Sequence, residues 1–293
     1  MIRLAHLSDI HISSVSQTLT HMWTSKRLLG GANMLLRRRR ELINDLLPVV
    51  VEHIQQQQLD HVIVTGDFST TALDKEFEGA RQVLLPFIEE NRLTAIPGNH
   101  DLYTQGSVKK QVYERFFQDC HGVTEAGSVY PHVRHLDENI ALIGVNTCLA
   151  TGLFQAWGEV DPAQLQRLKT ILKREEGRMR IVLLHHYFQD RKGTEGHHAR
   201  NLHNRTEVME LLKECGADMV LHGHEHARYR YTIPGPDGEI PVFNPGPTTR
   251  RGHKPEHWGG YLEYGVEDGV LKSITSWTMN PHERTFSAES WDI

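Results

Sequence analysis

The chain has 293 residues, 39% of them hydrophobic and 24% charged, enough for one large α/β domain or two modest ones. Its formal net charge of -5 argues against a chain that coats nucleic acid, and the unusual count is histidine, at 20. Cys120, Cys148 and Cys215 lie far apart with no CxxC spacing, which argues against a thiolate zinc knot or a disulfide framework and fits a reducing compartment.

Short apolar runs alternate with amphipathic stretches along most of the sequence. The first residues lack the basic and apolar regions of a signal peptide, and no run reaches the ~20 apolar residues of a membrane span. Ile2 to Leu7 predicts a strand, with Asp9-Ile10-His11 just beyond it. Arg40 to Gln58 has apolar residues at helical spacing. His61 to Thr65 is a buried strand closed by Gly66-Asp67. Leu73 to Glu90 predicts a helix, and Leu93 to Ile96 a short strand before Pro97-Gly98-Asn99-His100-Asp101. Further strands are expected at Ile140 to Val145, Ile181 to Leu184 and Met219 to Leu221. Helices near Pro162 to Glu175 and Thr206 to Lys213 separate them. Beyond His226 the texture turns β-rich over 227–293, with runs at Tyr229 to Ile233, Ile240 to Phe243, Tyr261 to Tyr264 and Val270 to Trp277. The whole reads as a single domain, 1–293, built on a β-sandwich with helices outside. The same alternation also fits a doubly wound sheet.

The polar residues fall where chemistry would put them. Asp9 and His11, Asp67, Asn99 and His100, His185 and His186, and His224 and His226 each follow an apolar strand. Strand ends on one sheet edge converge on one crevice. Asp-x-His and His-x-His place two side chains on one side of an extended backbone, so both can reach one ion. Carboxylates, an amide oxygen and imidazoles without thiolate suit two divalent cations such as Mn, Fe or Zn. Seven ligands exceed the needs of one open site. A bridging carboxylate between two ions ~3.5–4 Å apart accounts for the number.

Asp9-Ile10-His11, Gly66-Asp67, Gly98-Asn99-His100-Asp101, His185-His186 and Gly223-His224-Glu225-His226 resemble, in order, the motifs of the calcineurin-like metallophosphoesterase superfamily. The resemblance runs from about Met1 to His226 and is close to the class III cyclic-nucleotide phosphodiesterase branch. It implies a four-layer αββα sandwich with a dinuclear site at strand ends. Carried over by position, Asp9, His11 and His226 hold one metal, Asn99, His185 and His224 the other, and Asp67 bridges. It further implies that His100 stands beside the leaving oxygen with Asp101 orienting its ring. Asn99 and His100 would contact substrate, and His186 fits either a substrate contact or plain packing. Many relatives have Pro after the paired histidines where this chain has Tyr187, a departure that bears on substrate choice.

The implied reaction is hydrolysis of a phosphodiester or phosphoanhydride by a metal-bridging hydroxide. Alternatives are a nucleotide-sugar lipid pyrophosphatase of the lipid A pathway and a DNA nuclease, the latter disfavoured by the acidic balance. A scaffold that kept only the fold has no need of His100. The interruption at about 13–40, with Trp23, Leu28, Leu29, Met34 and Arg37 to Arg40, is expected to be a helical insertion. It fits a cap over the crevice, a peripheral contact with an anionic membrane, or a solvated basic helix end. A cytoplasmic location is expected, with the membrane periphery as the alternative. His197, His198, Arg200 and His203 fit a solvated loop or the mouth of the site, and Asn244-Pro245-Gly246-Pro247 a structural turn.

Overall fold

A computed structural model describes residues 1–13, 44–125 and 127–293. The interruption expected at about 13–40 lies, apart from Ser13, outside the described residues. Its readings as a cap and as a membrane contact lie there too.

Two sheets form the middle of the molecule. The six-stranded one runs β13-β12-β11-β1-β2-β3. Its strands are β1 (Ile2–Leu7), β2 (His61–Val64), β3 (Leu93–Ala95), β11 (Gly260–Glu267), β12 (Val270–Asn280) and β13 (Thr285–Trp291). The seven-stranded one runs β4-β5-β6-β7-β8-β10-β9. It contains β4 (Val123–Thr124), β5 (His132–His135), β6 (Ile140–Gly144), β7 (Met179–Leu183), β8 (Met219–Leu221), β9 (Arg228–Gly235) and β10 (Gly238–Pro245).

Alternation along the strands decides which architecture forms. Leu4 and Ile63 of the first sheet and Leu142, Ile181, Leu183, Met219 and Leu221 of the second share one buried cluster between the sheets. Their neighbours Ala5, Val62 and Val64 face the other way, onto helices α1 (Leu47–Gln56) and α2 (Asp74–Glu89). Ala141, Ile143, Val182 and Val220 likewise face α5 (Pro162–Arg174) and α6 (Arg205–Cys215). Strands buried on both faces give the continuous apolar runs seen in the sequence. The layers are therefore helix, sheet, sheet, helix. The expected αββα sandwich is present and the doubly wound alternative is not. Truncating an inter-sheet residue such as Leu183 to Ala should cost about 2–5 kcal/mol.

Local signals set the helix ends. The Asp161 carboxylate accepts from Gln164 N at 2.9 Å to cap α5, with Pro162 at its first position. The buried Glu76 carboxylate accepts from Thr71 N at 2.8 Å and Leu73 N at 3.3 Å, fixing the entry to α2. Two short helices, α3 (Gln105–Lys109) and α4 (Val112–Phe117), follow the Asn99-His100-Asp101 motif. They were not expected from the sequence, and neither were β4, β5 and β13.

β1, β2 and β3 are parallel to one another, as are β6, β7, β8 and β10. The segments that leave the carboxyl ends of β1, β2, β3, β7 and β8 carry the polar motifs. No helix among the described residues is long and apolar enough to cross a membrane.

Candidate metal centre

The turns that leave these strands put the ligand-bearing backbone in an uncommon conformation. Asp9, His11, Asp67, His224 and His226 have φ of 52°, 53°, 60°, 73° and 50°. This left-handed region is sparsely populated by residues other than glycine, and such strain gathers at functional sites. Backbone bonds hold the turns in place: Asp9 N donates to Gly66 O at 3.0 Å and His11 N to Asp67 O at 2.8 Å. Thr248 Oγ1 donates to Ser8 O at 2.9 Å and Thr249 Oγ1 to Ile10 O at 2.6 Å, bracing the Asp9–His11 turn from the segment after β10. Gly98 permits a close approach. A Cβ there would stand 2.1 Å from Asp67 Oδ1.

The side chains gather into two groups that share Asp67. In the first, Asp9, His11, Asp67 and His226 each offer a ligand atom, all within 4.8 Å of one another. His11 Nε2 lies 2.9 Å from His226 Nε2, and His226 Nε2 3.2 Å from Asp9 Oδ1. In the second, Asn99 Oδ1 lies 3.1 Å from His185 Nε2 and 2.8 Å from His224 Nδ1. Asp67 Oδ2 stands between the groups, 3.5 Å from His11 Nε2 and 3.6 Å from His185 Nε2. Its other oxygen accepts from His100 N at 2.8 Å.

Protonation leaves a bare lone pair at His185. Burial pushes the pKa of His185 below the usual histidine value and holds it neutral, against the pull of Asp9 and the Thr65 carbonyl. Burial also holds His224 neutral, with His186 and His185 acting in the same direction. The Thr65 carbonyl can only accept, so the 2.7 Å bond from His185 Nδ1 uses that ring's single proton. His185 Nε2 then faces Asp67 Oδ2 and Asn99 Oδ1 with a bare lone pair. Burial pushes Asp9 upward, but the charge and hydrogen bond of His226 outweigh it and bring its carboxyl down to about 2. At His185 acceptors face acceptors in a buried site, an arrangement that a cation between them satisfies, and with the four ligand atoms gathered around Asp9 the residues present fit a metal pair.

The remaining site residues divide sharply. His100 lies against the first group, its ring centroid 4.8 Å from that of His11 and stacked at 5.6 Å on Tyr103. The expectation that Asp101 orients this ring is overturned. His100 Nδ1 bonds the Thr70 carbonyl at 2.7 Å. Asp101 instead accepts from the backbone N–H groups of Asp67 (2.8 Å), Phe68 (3.2 Å), Ser69 (2.9 Å) and Gly98 (2.9 Å), and from Ser69 Oγ at 2.9 Å. A fully buried carboxylate surrounded by donors satisfies backbone N–H groups that would otherwise be orphaned, so Asp101 ties the turn after β2 to the turn after β3.

Of the two readings of His186, packing is the one that fits. It is fully buried, its Nδ1 bonded to Thr147 Oγ1 at 2.7 Å and its Nε2 to Ala156 O at 3.1 Å. Both nitrogens are used within the protein, and the ring packs beside its neighbour His224, 4.6 Å away between centroids. Arg200 reaches from its exposed loop to the His224 carbonyl at 3.3 Å, and Arg250 to the His226 carbonyl at 3.3 Å. Asn244 braces the ligand loop through a 2.7 Å bond from Nδ2 to Gly223 O, which makes its turn structural as expected. Thr65, Thr70 and Thr147, which fix the rings of His185, His100 and His186, were missed. Threonine near a strand end has no signature in a single sequence.

The calcineurin-like phosphoesterase family model matches residues 2–228. An uncharacterized metallophosphoesterase of Helicobacter pylori is 26% identical over 200 residues, 64% of this chain and 41% of its own length. This chain therefore matches less than half of that relative. A dimetal phosphatase from Danio rerio superposes with a TM-score of 0.57 at 12% identity, covering 94% of each chain. PhoD gives 0.61 at 10% identity over 99% of this chain and 68% of its own. A purple acid phosphatase from yellow lupin seeds gives 0.56 at 12% identity over 98% of this chain and 52% of its own. At such identities the structural likeness speaks for the fold.

Proposed function

The chain belongs to the calcineurin-like phosphoesterase family, and from that premise we propose that it is a metal-dependent hydrolase of phosphodiester or phosphoanhydride bonds. The observation that carries the proposal is the shared oxygen: Asp67 Oδ2 stands 3.5 Å from a nitrogen of one ligand group and 3.6 Å from a nitrogen of the other. Asp9, His11 and His226 would hold one divalent cation, Asn99, His185 and His224 the second, and Asp67 both. Bound there, the pair supplies the charge that acidifies a water and neutralises phosphoryl oxygens.

The protein's own groups do the rest. Asn99 turns Oδ1 toward His185 and His224, which leaves its Nδ2 to donate to a phosphoryl oxygen. His100 keeps its Nδ1 proton on the Thr70 carbonyl. In the imidazolium form its second proton sits on Nε2, and that proton passes to the departing oxygen. His186, Thr147 and Thr65 hold the ligand rings at fixed angles, as supports around a metal site do.

Assaying metal-loaded protein on a monoester, a linear diester, a cyclic nucleotide, a nucleotide-sugar lipid and duplex DNA tests the reading. Diester or diphosphate cleavage that disappears with chelator and returns with divalent metal is expected. A preference for the monoester, or cleavage indifferent to chelator, refutes it.

A further inference from the structure

A cavity of about 350 Å³ lies between α3, α4 and the segment after β6, and none of the candidate metal ligands lines it. The buried part of its lining is apolar: Leu102, Tyr130 and Cys148. Val108 and Leu149 add aliphatic wall. The two helices supply oxygen acceptors through Gln105, Gln111 and Glu114. Among the described residues, Glu114 is the only charged side chain that lines the cavity. It is half-buried, and its carboxylate has no hydrogen bond or ion pair to another described side chain. The next residue, Arg115, is turned to Asp74 at 3.1 Å. Burial pushes the Glu114 carboxyl upward, and what opposes this is its own backbone N–H, with no cation acting on it. Gln105 Nε2 donates to Ala150 O at 3.3 Å, which leaves its Oε1 as an acceptor. Gln111, left-handed at φ 48°, turns the chain from α3 into α4 and so brings Gln105 and Glu114 to one cavity.

We propose that this cavity binds a small primary ammonium ion with an apolar body. An anion would meet a carboxylate and no cation on the lining. A bare metal ion needs several fixed oxygen ligands, and one carboxylate with two amides on an apolar wall does not supply them. An alkyl or aryl ammonium matches both halves of the lining. Its hydrocarbon packs on Leu102, Val108, Tyr130 and Leu149. Its three N–H donors serve the Glu114 carboxylate and the amide oxygens of Gln105 and Gln111. A hydrogen bond between two ionised groups, one of them half-buried, is stronger than either group makes with a neutral partner in open water. The site goes beyond the proposed hydrolysis and does not depend on it.

Benzylamine is the probe. It is titrated beside benzyl alcohol, its neutral counterpart, and benzyltrimethylammonium, which carries the charge without donors. Calorimetry reads affinity, and the methyl resonances of Leu102, Val108 and Leu149 read position, in metal-free and metal-loaded protein. Benzylamine should shift all three sets of methyls and bind about tenfold more tightly than the alcohol, with or without metal. The quaternary ion should bind more weakly than benzylamine. Glu114→Gln, a change of charge at nearly constant shape, should erase the preference for benzylamine over the alcohol and leave the urea midpoint in place. Ala150→Phe fills the cavity from its other wall and should abolish binding of all three probes. No binding of benzylamine, equal binding of the alcohol or the quaternary ion, or a preference kept in Glu114→Gln overturns the ammonium site. Benzylamine that binds without moving the three sets of methyls, or that metal displaces, sits in the acidic metal centre or elsewhere and overturns it too.

Discussion

Replacing the shared carboxylate with its amide, Asp67→Asn, probes the centre at its most informative atom. Asp67 Oδ1 accepts from His100 N at 2.8 Å, and the amide oxygen of the variant can keep that bond. The new NH2 group then takes the place of Oδ2, 3.5 Å from His11 Nε2 and 3.6 Å from His185 Nε2. It presents a donor to the lone pair of His185 Nε2, which formerly faced an anion. The metal-free protein should therefore keep its stability, or gain slightly, whereas metal binding loses an anionic ligand common to both ions. Metal at 100 times its Kd stabilises a folded protein by about 2.7 kcal/mol. For a chain of this size that is a rise in Tm of ~5–10 °C. A 100-fold loss of affinity, the upper end of what even supporting residues cost, would cut the rise to ~1–2 °C. Differential scanning calorimetry with and without Mn or Zn, together with metal analysis after gel filtration, measures both quantities. A variant that retains two ions and the full rise refutes the shared-ligand reading. A metal-free variant that melts many degrees lower would show that Asp67 is chiefly a structural contact.

Three further outcomes are expected. His100→Ala should keep both metals and lose rate mainly on esters with poor leaving groups, by roughly 10²–10⁴-fold. Equal losses on nitrophenyl and alkyl diesters, compared by kcat, would exclude proton donation. Asp101→Ala should lower stability by at least about 4 kcal/mol, because four buried backbone donors and Ser69 Oγ lose their acceptor. Urea denaturation of the metal-free protein reads this, and a loss under 1 kcal/mol would contradict the tie between the two turns. Burial, aided by Arg134 and Arg92, lowers His61 from the usual 6.5 to about 3, and burial with Arg134 lowers His121 to about 4. Above pH 6.5 these rings are neutral in both states. As pH falls below it the unfolded chain binds their protons first, so stability drops by about 1.4 kcal/mol per pH unit for each ring. By pH 4.5 the two together cost about 5 kcal/mol. Denaturation midpoints from pH 7 to 4.5 should show the slope, and His61→Gln with His121→Gln should flatten it. A slope unchanged in the double variant removes these residues as its source.

The sequence made the candidate ligand set legible because each motif follows a strand buried on both faces. Five apolar runs stop at polar residues, and nothing but a site explains that pattern at once. The architecture needed more. β1 and β7 read as uninterrupted apolar stretches, and only the division of Leu4 from Ala5, or of Ile181 from Val182, into different clusters shows two sheets back to back. β13 escaped because Thr285–Trp291 is mostly exposed and polar, without the alternation that marks a half-buried strand. β4, with both residues exposed, is held by pairing to β5 alone. Asp101 was misread for a related reason. Adjacency to His100 says nothing about whether a carboxylate turns to the ring or to the backbone, and here the N–H groups of a tight turn took both oxygens. His186 adjoins a ligand in sequence yet is turned to Thr147 and Ala156, since consecutive side chains leaving a strand point to opposite faces.

The first ligand group joins parts of the chain far apart in order of synthesis: His11 and its neighbour His226 are 215 residues apart. At ordinary elongation rates the ribosome needs roughly 10–40 s to travel between them. During that interval Asp9 and His11 have been made, but the histidine that completes their set has not. A nascent chain can therefore offer only weak, open chelation. Metal loading on the proposed ligands would then follow translation of the Gly223–His226 loop and the docking of one sheet on the other.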